Sequence, residues 1–147
     1  TSKFGLELLG KKATPLLQAL FTICLHRKEH IEEVLPLLAD LMHEKKCKLA
    51  MLANVSLLGL LVEISGNADS VHRSATAIRT IECLAHDFNE GKHVLGELQD
   101  LMRTLTKLKY TGPEALATAA TAAMEQLARN CDANAGIFRR LRVEYAS

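Results

Sequence analysis

The chain has 147 residues, 18 basic against 17 acidic side chains, few aromatics and no tryptophan, which is the size of one domain. So even a charge balance argues against a nucleic-acid binder, and no window reaches the ~18 uninterrupted apolar residues of a membrane span. Leu and Ala dominate, a composition that favours helix over a β-sandwich rich in Val, Ile, Thr and aromatics.

The chain opens Thr1-Ser2 without methionine, which reads as a piece cut from a longer protein, so that no targeting signal need be legible in it. Its four cysteines, Cys24, Cys47, Cys83 and Cys131, form no CxxC pair. Cys24 and Cys83 sit in apolar helical patterns and read as reduced, core-type thiols of an intracellular protein, in the cytoplasm or the nucleus.

The first helix is predicted from Thr14-Pro15, with Thr14 as cap and Pro15 in the first turn. Leu16, Leu17, Leu20, Ile23 and Cys24 recur on its inner face, and the polar HRKEH at 26–30 ends it. A second helix carries Ile31, Val34, Leu35, Leu38, Leu41 and Met42, with Pro36 kinking or restarting it. The stretch CKLAMLANVSLLGLLVEIS at 47–65 is apolar on almost every side and reads as one fully buried helix, closely packed at Gly59.

Asp69 or Ser70 caps the next helix, which runs to about His86 with Val71, Ala75, Ile78, Ile81 and Leu84 inward. From Asn89 a longer helix carries Val94, Leu95, Leu98, Leu101, Met102, Leu105 and Leu108, and ends in Lys107 and Lys109. TGPE at 111–114 fits a capping box between Thr111 and Glu114. ALATAATAAMEQLARN follows at 115–130, seven of its sixteen residues alanine. A last helix holds Ile137, Phe138, Leu141 and Tyr145. The expectation is about seven helices, all-α, in a single domain spanning 1–147.

Two self-matches stand out. LPLLADLM at 35–42 and LGELQDLM at 95–102 share five of eight residues. IECLAHDFNEGKHVLGEL and MEQLARNCDANAGIFRRL pair Leu84 with Leu127, Ala85 with Ala128, Val94 with Ile137, Leu95 with Phe138 and Leu98 with Leu141, always 43 residues apart. A period of that length made of two helices is the mark of an α-solenoid.

These stretches resemble the armadillo and HEAT repeats. LPLLADLM looks like an armadillo second helix, and KLAMLANVS at 48–56 like a third, with Asn54 at the place of the family's asparagine. At that place ATAAMEQLA at 120–128 has Gln126 and the 77–85 copy has Cys83. The intervals Cys83–Gly96 and Gln126–Arg139, thirteen residues each, leave no room for armadillo's short extra helix, so the stack is expected to be the more HEAT-like. The resemblance implies a right-handed armadillo/HEAT-like α-solenoid. In it the small residues Ala119, Ala120 and Ala123 let backbones approach while Leu116, Met124 and Leu127 grip.

By the same resemblance, helices at 47–65, 70–87 and 114–130 line a concave face. Asn54, Arg79, Glu82, Thr118, Glu125 and Arg129 would there meet a partner protein. With one asparagine surviving and no tryptophan, the implied partner is a helix or folded surface rather than an extended peptide. The function expected is a non-catalytic interaction scaffold or adaptor.

The alternative is a helical bundle that holds nucleic acid or phospholipid headgroups through Lys45, Lys46, Lys48, Arg139, Arg140 and Arg142. His26 and His30, four apart at a helix end, lack further ligands and read as solvated; His86-Asp87 and His93 read alike. Cys83 precedes His86 by three residues, but no phosphate loop, HExxH or GxSxG accompanies them. No catalytic or metal-binding residue and no cofactor is nominated. The helix at 137–145, with Arg139, Arg140, Arg142 and Glu144, suits a polar end cap. KFGLELLG near the start is less polar and suits a neighbouring repeat or a self-association contact.

Overall fold

The computed structural model describes residues 12–67 and 69–146, and every regular element among them is helical. Nine α-helices follow in order: α1 (Ala13–His26), α2 (Ile31–Leu41), α3 (Lys45–Ala53), α4 (Val55–Gly66), α5 (Val71–Ala85), α6 (Asn89–Gly96), α7 (Gln99–Thr111), α8 (Glu114–Ala128) and α9 (Asp132–Tyr145). A 3-10 turn at Lys28–His30 joins α1 to α2. KFGLELLG lies outside the described residues.

The two extra helices come from two breaks that hydrophobic periodicity hides. The run at 47–65 is two helices bent by 91°. The hinge is Asn54, whose Oδ1 accepts from Leu57 N–H at 3.0 Å and so caps α4. The helix expected from Asn89 to Lys109 likewise breaks at Glu97-Leu98. The interval Cys83–Gly96 therefore does hold a short extra helix, the eight-residue α6.

Gly59, expected in a tight contact, is exposed, and an added Cβ would meet nothing within 4 Å. Thr111 makes no capping box: its Oγ1 donates back to Lys107 C=O at 2.7 Å, so it completes α7, and Pro113 takes the cap position of α8. Thr14 lies inside α1, behind Lys12. α2 runs unbroken through Pro36. Ser70 does cap α5, its Oγ accepting from Arg73 N–H at 3.3 Å.

Most predicted inward positions are buried, with Leu17, Leu35, Leu38, Ile78, Ile81, Leu84, Leu101 and Leu105 at 1% exposure or less. Ile23 and Val71 face outward instead, at 39% and 41%. The alanine-rich helix is central: α5 packs along α8, and α7 packs on α8 as well. Ala120 and Ala123 are fully buried there, between Leu116, Met124 and Leu127. A methyl group at those positions lets the helix axes close to near the lower end of the usual 8–10 Å range.

α5 lies between α2 and α8, while α4 and α7 pack behind α5 and α8 and against each other. α3 touches α6, and α6 touches α9. Among the described residues neither α1 nor α2 makes an extensive contact with α7, α8 or α9.

The order short helix, helix, longer helix occurs twice, at α3–α4–α5 and α6–α7–α8, with starts 44, 44 and 43 residues apart. Details recur at the same interval. Asp87 and Asn130 both have positive φ, +47° and +54°, directly after the caps of α5 and α8. The buried Lys48 donates from Nζ to His86 C=O at 2.8 Å, and the buried Lys92 to Arg129 C=O at 2.6 Å. Each ammonium thus sits at the negative end of a helix dipole. Two ion pairs, Arg73–Glu32 at 3.1 Å and Arg103–Glu144 at 2.8 Å, do not stand at equivalent positions, yet each spans 41 residues. Every long-range side-chain hydrogen bond among the described residues joins positions 36 to 42 apart.

LPLLADLM and LGELQDLM do not occupy equivalent places. The first closes α2, which packs on α5 as α5 does on α8, whereas the second straddles the α6–α7 break. The 43-residue match is the one the structure follows.

Candidate functional site

Asp40 on α2, Cys83 on α5 and Gln126 on α8 stand 43 residues apart and line one open cavity of about 480 Å³. Arg79, one turn before Cys83 on α5, and Glu82, the residue next to it, share it, as do His43, Lys48 and His86 at the helix ends. The cavity crosses three helices because α2, α5 and α8 lie side by side, presenting the same phase of each helix.

Its charges are fixed from beneath. The Lys48 ammonium lies over the Phe88 ring at 5.7 Å and is bonded to the carbonyl closing α5. Burial lowers its pKa, while Cys83 and Asp87 act the other way. Burial pushes the Cys83 thiol up, helped by Glu82 and Asp40 and opposed by Arg79 and Lys48. At neutral pH Cys83 is therefore a protonated thiol, a weak nucleophile. The His86 ring is turned to other partners, Nδ1 at 3.3 Å from Gln126 Oε1 and Nε2 at 3.3 Å from Asp87 Oδ2. The groove offers donors, acceptors and charges of both signs, without an activated nucleophile at Cys83.

The six residues nominated from sequence fall in separate places. Arg79 and Glu82 sit together in this groove. Thr118 and Glu125 line a separate open hollow along α8 with Glu114, Ala117, Thr121 and Ala122. Arg129 is exposed at the C-terminal cap of α8, where its carbonyl receives Lys92. Asn54 is half-buried at the α3–α4 hinge, its Nδ2 donating to Gln18 Oε1 at 3.5 Å. The row position expected for 47–65 belongs to α2. Asp40 and His43 were not nominated from sequence and His86 was read as solvated, although the 43-residue spacing of Asp40 from Cys83 was a usable signal.

The lysine cluster is also reduced. Lys45 and Lys46 are exposed in the first turn of α3, but Lys48 is withdrawn into the interior. Arg139, Arg140 and Arg142 are exposed on α9. Among the described residues no three His, Cys, Asp or Glu side chains converge as a metal would require, and no single helix is long and apolar enough to cross a membrane. No protein-family model, curated protein or solved structure matches the chain.

Proposed function

We propose that this chain is a right-handed armadillo/HEAT-like α-solenoid that serves as a non-catalytic scaffold or adaptor, binding a helical or folded segment of another protein across α2, α5 and α8. The observation that carries the reading is the uniform 36-to-42-residue reach of its long-range hydrogen bonds. That is the pattern of units which touch only their neighbours. The short α6 ahead of α7 and α8 brings the unit nearer to the three-helix armadillo plan than to HEAT.

A groove of mixed charge over three helices suits recognition, where charges select a partner and apolar contacts hold it. Affinity capture from cell extract with the parent chain and with Arg79→Glu/Glu82→Lys, read by mass spectrometry, tests the surface. Partners held by the parent and lost by the variant, with calorimetry on the purified partner giving the same difference, support it. An unchanged set of partners contradicts it.

The nucleic-acid or phospholipid reading retains Lys45 and Lys46 and the α9 arginines. It predicts affinity for an RNA oligonucleotide or phosphatidylserine vesicles that falls steeply with salt. Salt-insensitive or absent binding removes it.

A further inference from the structure

Among the described residues no further helix continues the row of α2, α5 and α8 beyond α8. Positions 43 residues apart show how the earlier members of the row are packed. Leu35 and Met42, in and just after α2, and Ile78 and Ala85, in α5, are at most 1% exposed, and α2 packs on α5 as α5 packs on α8. Their counterparts Thr121 and Ala128 are only half-buried and line an open trough of about 280 Å³ between α8 and α9. At those earlier positions the packed neighbour is a helix, α5 beside α2 and α8 beside α5.

The trough is also charged to one side. Met124 and Phe138, at 7% and 8% exposure, form its apolar floor. Lys109, Arg139 and Arg142 stand around it, and among the described residues none of the three is in an ion pair. Lys109 Nζ lies 5.3 Å over the Tyr110 ring, and Glu125 is the one acid on the lip. Three cations against one carboxylate around an apolar floor match a ligand of opposite sign with a greasy stripe.

We propose that this trough is a second docking site, which takes an acidic amphipathic α-helix of another protein. Its apolar residues at i, i+3/i+4 and i+7 would rest on Met124 and Phe138, and its carboxylates would meet Lys109, Arg139 and Arg142. The site does not rest on the α2–α5–α8 groove.

The test selects helical peptides from a phage-displayed library on the purified chain. Counter-selection uses Arg139→Glu/Arg142→Glu, first shown to keep the parent's circular dichroism and thermal midpoint. The neutral pair Arg139→Gln/Arg142→Gln replaces it if the reversed pair does not fold. The expected winners carry spaced apolar residues separated by Asp and Glu. A synthetic winner should bind the reversed pair about tenfold more weakly than the parent, and the neutral pair with a smaller loss. It should bind Arg79→Glu as it binds the parent, and move the amide resonances of Thr121, Ala128 and Phe138.

The proposal is overturned if no arginine-dependent sequence emerges or if the winners are neutral or basic. It is equally overturned if the shifts fall on Asp40 and Cys83, or if an RNA oligonucleotide or phosphatidylserine vesicles engage the arginines and no peptide does.

Discussion

Replacing Lys92 by methionine keeps most of the buried stem and removes only the ammonium. In the folded chain that group donates to Arg129 C=O at 2.6 Å and is 3% exposed with the rest of its residue. A hydrogen bond from a charged donor contributes about 1.5–3 kcal/mol, and a cation at a helix C-terminus about 0.3–1 more. Against this stands the relief of no longer burying a charge, which in favourable cases cancels such a gain. Here the carbonyl is part-buried at the end of α8 and loses its only assigned partner, so the loss should win, at about 2 kcal/mol. For a domain of this size that is a fall in Tm of about 6 °C. Lys48→Met, the same change one unit earlier, should fall in the same range, since Lys48 bonds His86 C=O at 2.8 Å. The double variant should show the sum of the two within about 0.5 kcal/mol. Urea unfolding followed by circular dichroism measures all three. A neutral or stabilising Lys92→Met would show that the clamp is a tolerated burial and not a tie between units.

Two glycine changes should have opposite signs in the same assay. Gly59→Ala adds a methyl group to an exposed helix position with open space around it, and should stabilise by about 0.5–1 kcal/mol. Gly96→Ala drives a Cβ into the Asn134 carboxamide, which is held by bonds to Lys92 C=O and Leu127 C=O at 2.9 Å each, and should cost about 1–3 kcal/mol. Ala120→Leu, at a fully buried position of α8, the helix that packs on both α5 and α7, should cost about 1–3 kcal/mol, and a loss below about 0.5 would place α8 at the periphery. Burial raises the thiols of Cys24, Cys47 and Cys83 above the ordinary 9.0, so each contributes stability that is complete below pH 9.0 and drains away as pH rises through the folded value. A rate–pH profile for Cys83 alkylation in the native chain should have its midpoint above 9.0, and a midpoint at or below it would contradict the burial argument.

Helices declare themselves through their apolar stripes, and so α5 and α8 were legible almost to the residue. Their breaks were not. Asn54 is flanked by apolar residues on both sides, and its capping role exists only once the chain has turned around it. At Glu97-Leu98 the stripe continues in phase across the bend, so periodicity sees one helix where the backbone makes two. Lys48 read as surface because lysines cluster there with Lys45 and Lys46. Its burial depends on a carbonyl 38 residues away, which only the folded chain brings near. The spacing of Lys48 and Lys92, 44 residues, was available in the sequence and matches the helix starts. The groove was half legible: Arg79, Glu82, Cys83 and Gln126 were singled out, while Asp40 was hidden because the 60-residue match between LPLLADLM and LGELQDLM put α2 in the wrong role.

In the proposed row each unit touches only the next one along the chain. Long-range nuclear Overhauser effects between side-chain methyl groups of the isotope-labelled chain measure this directly. They should join α2 to α5, α5 to α8, α4 to α7 and α6 to α9, as the helices pack. Effects linking α1 or α2 to α8 or α9 would show a chain wrapped about one shared centre, and would contradict the row of units.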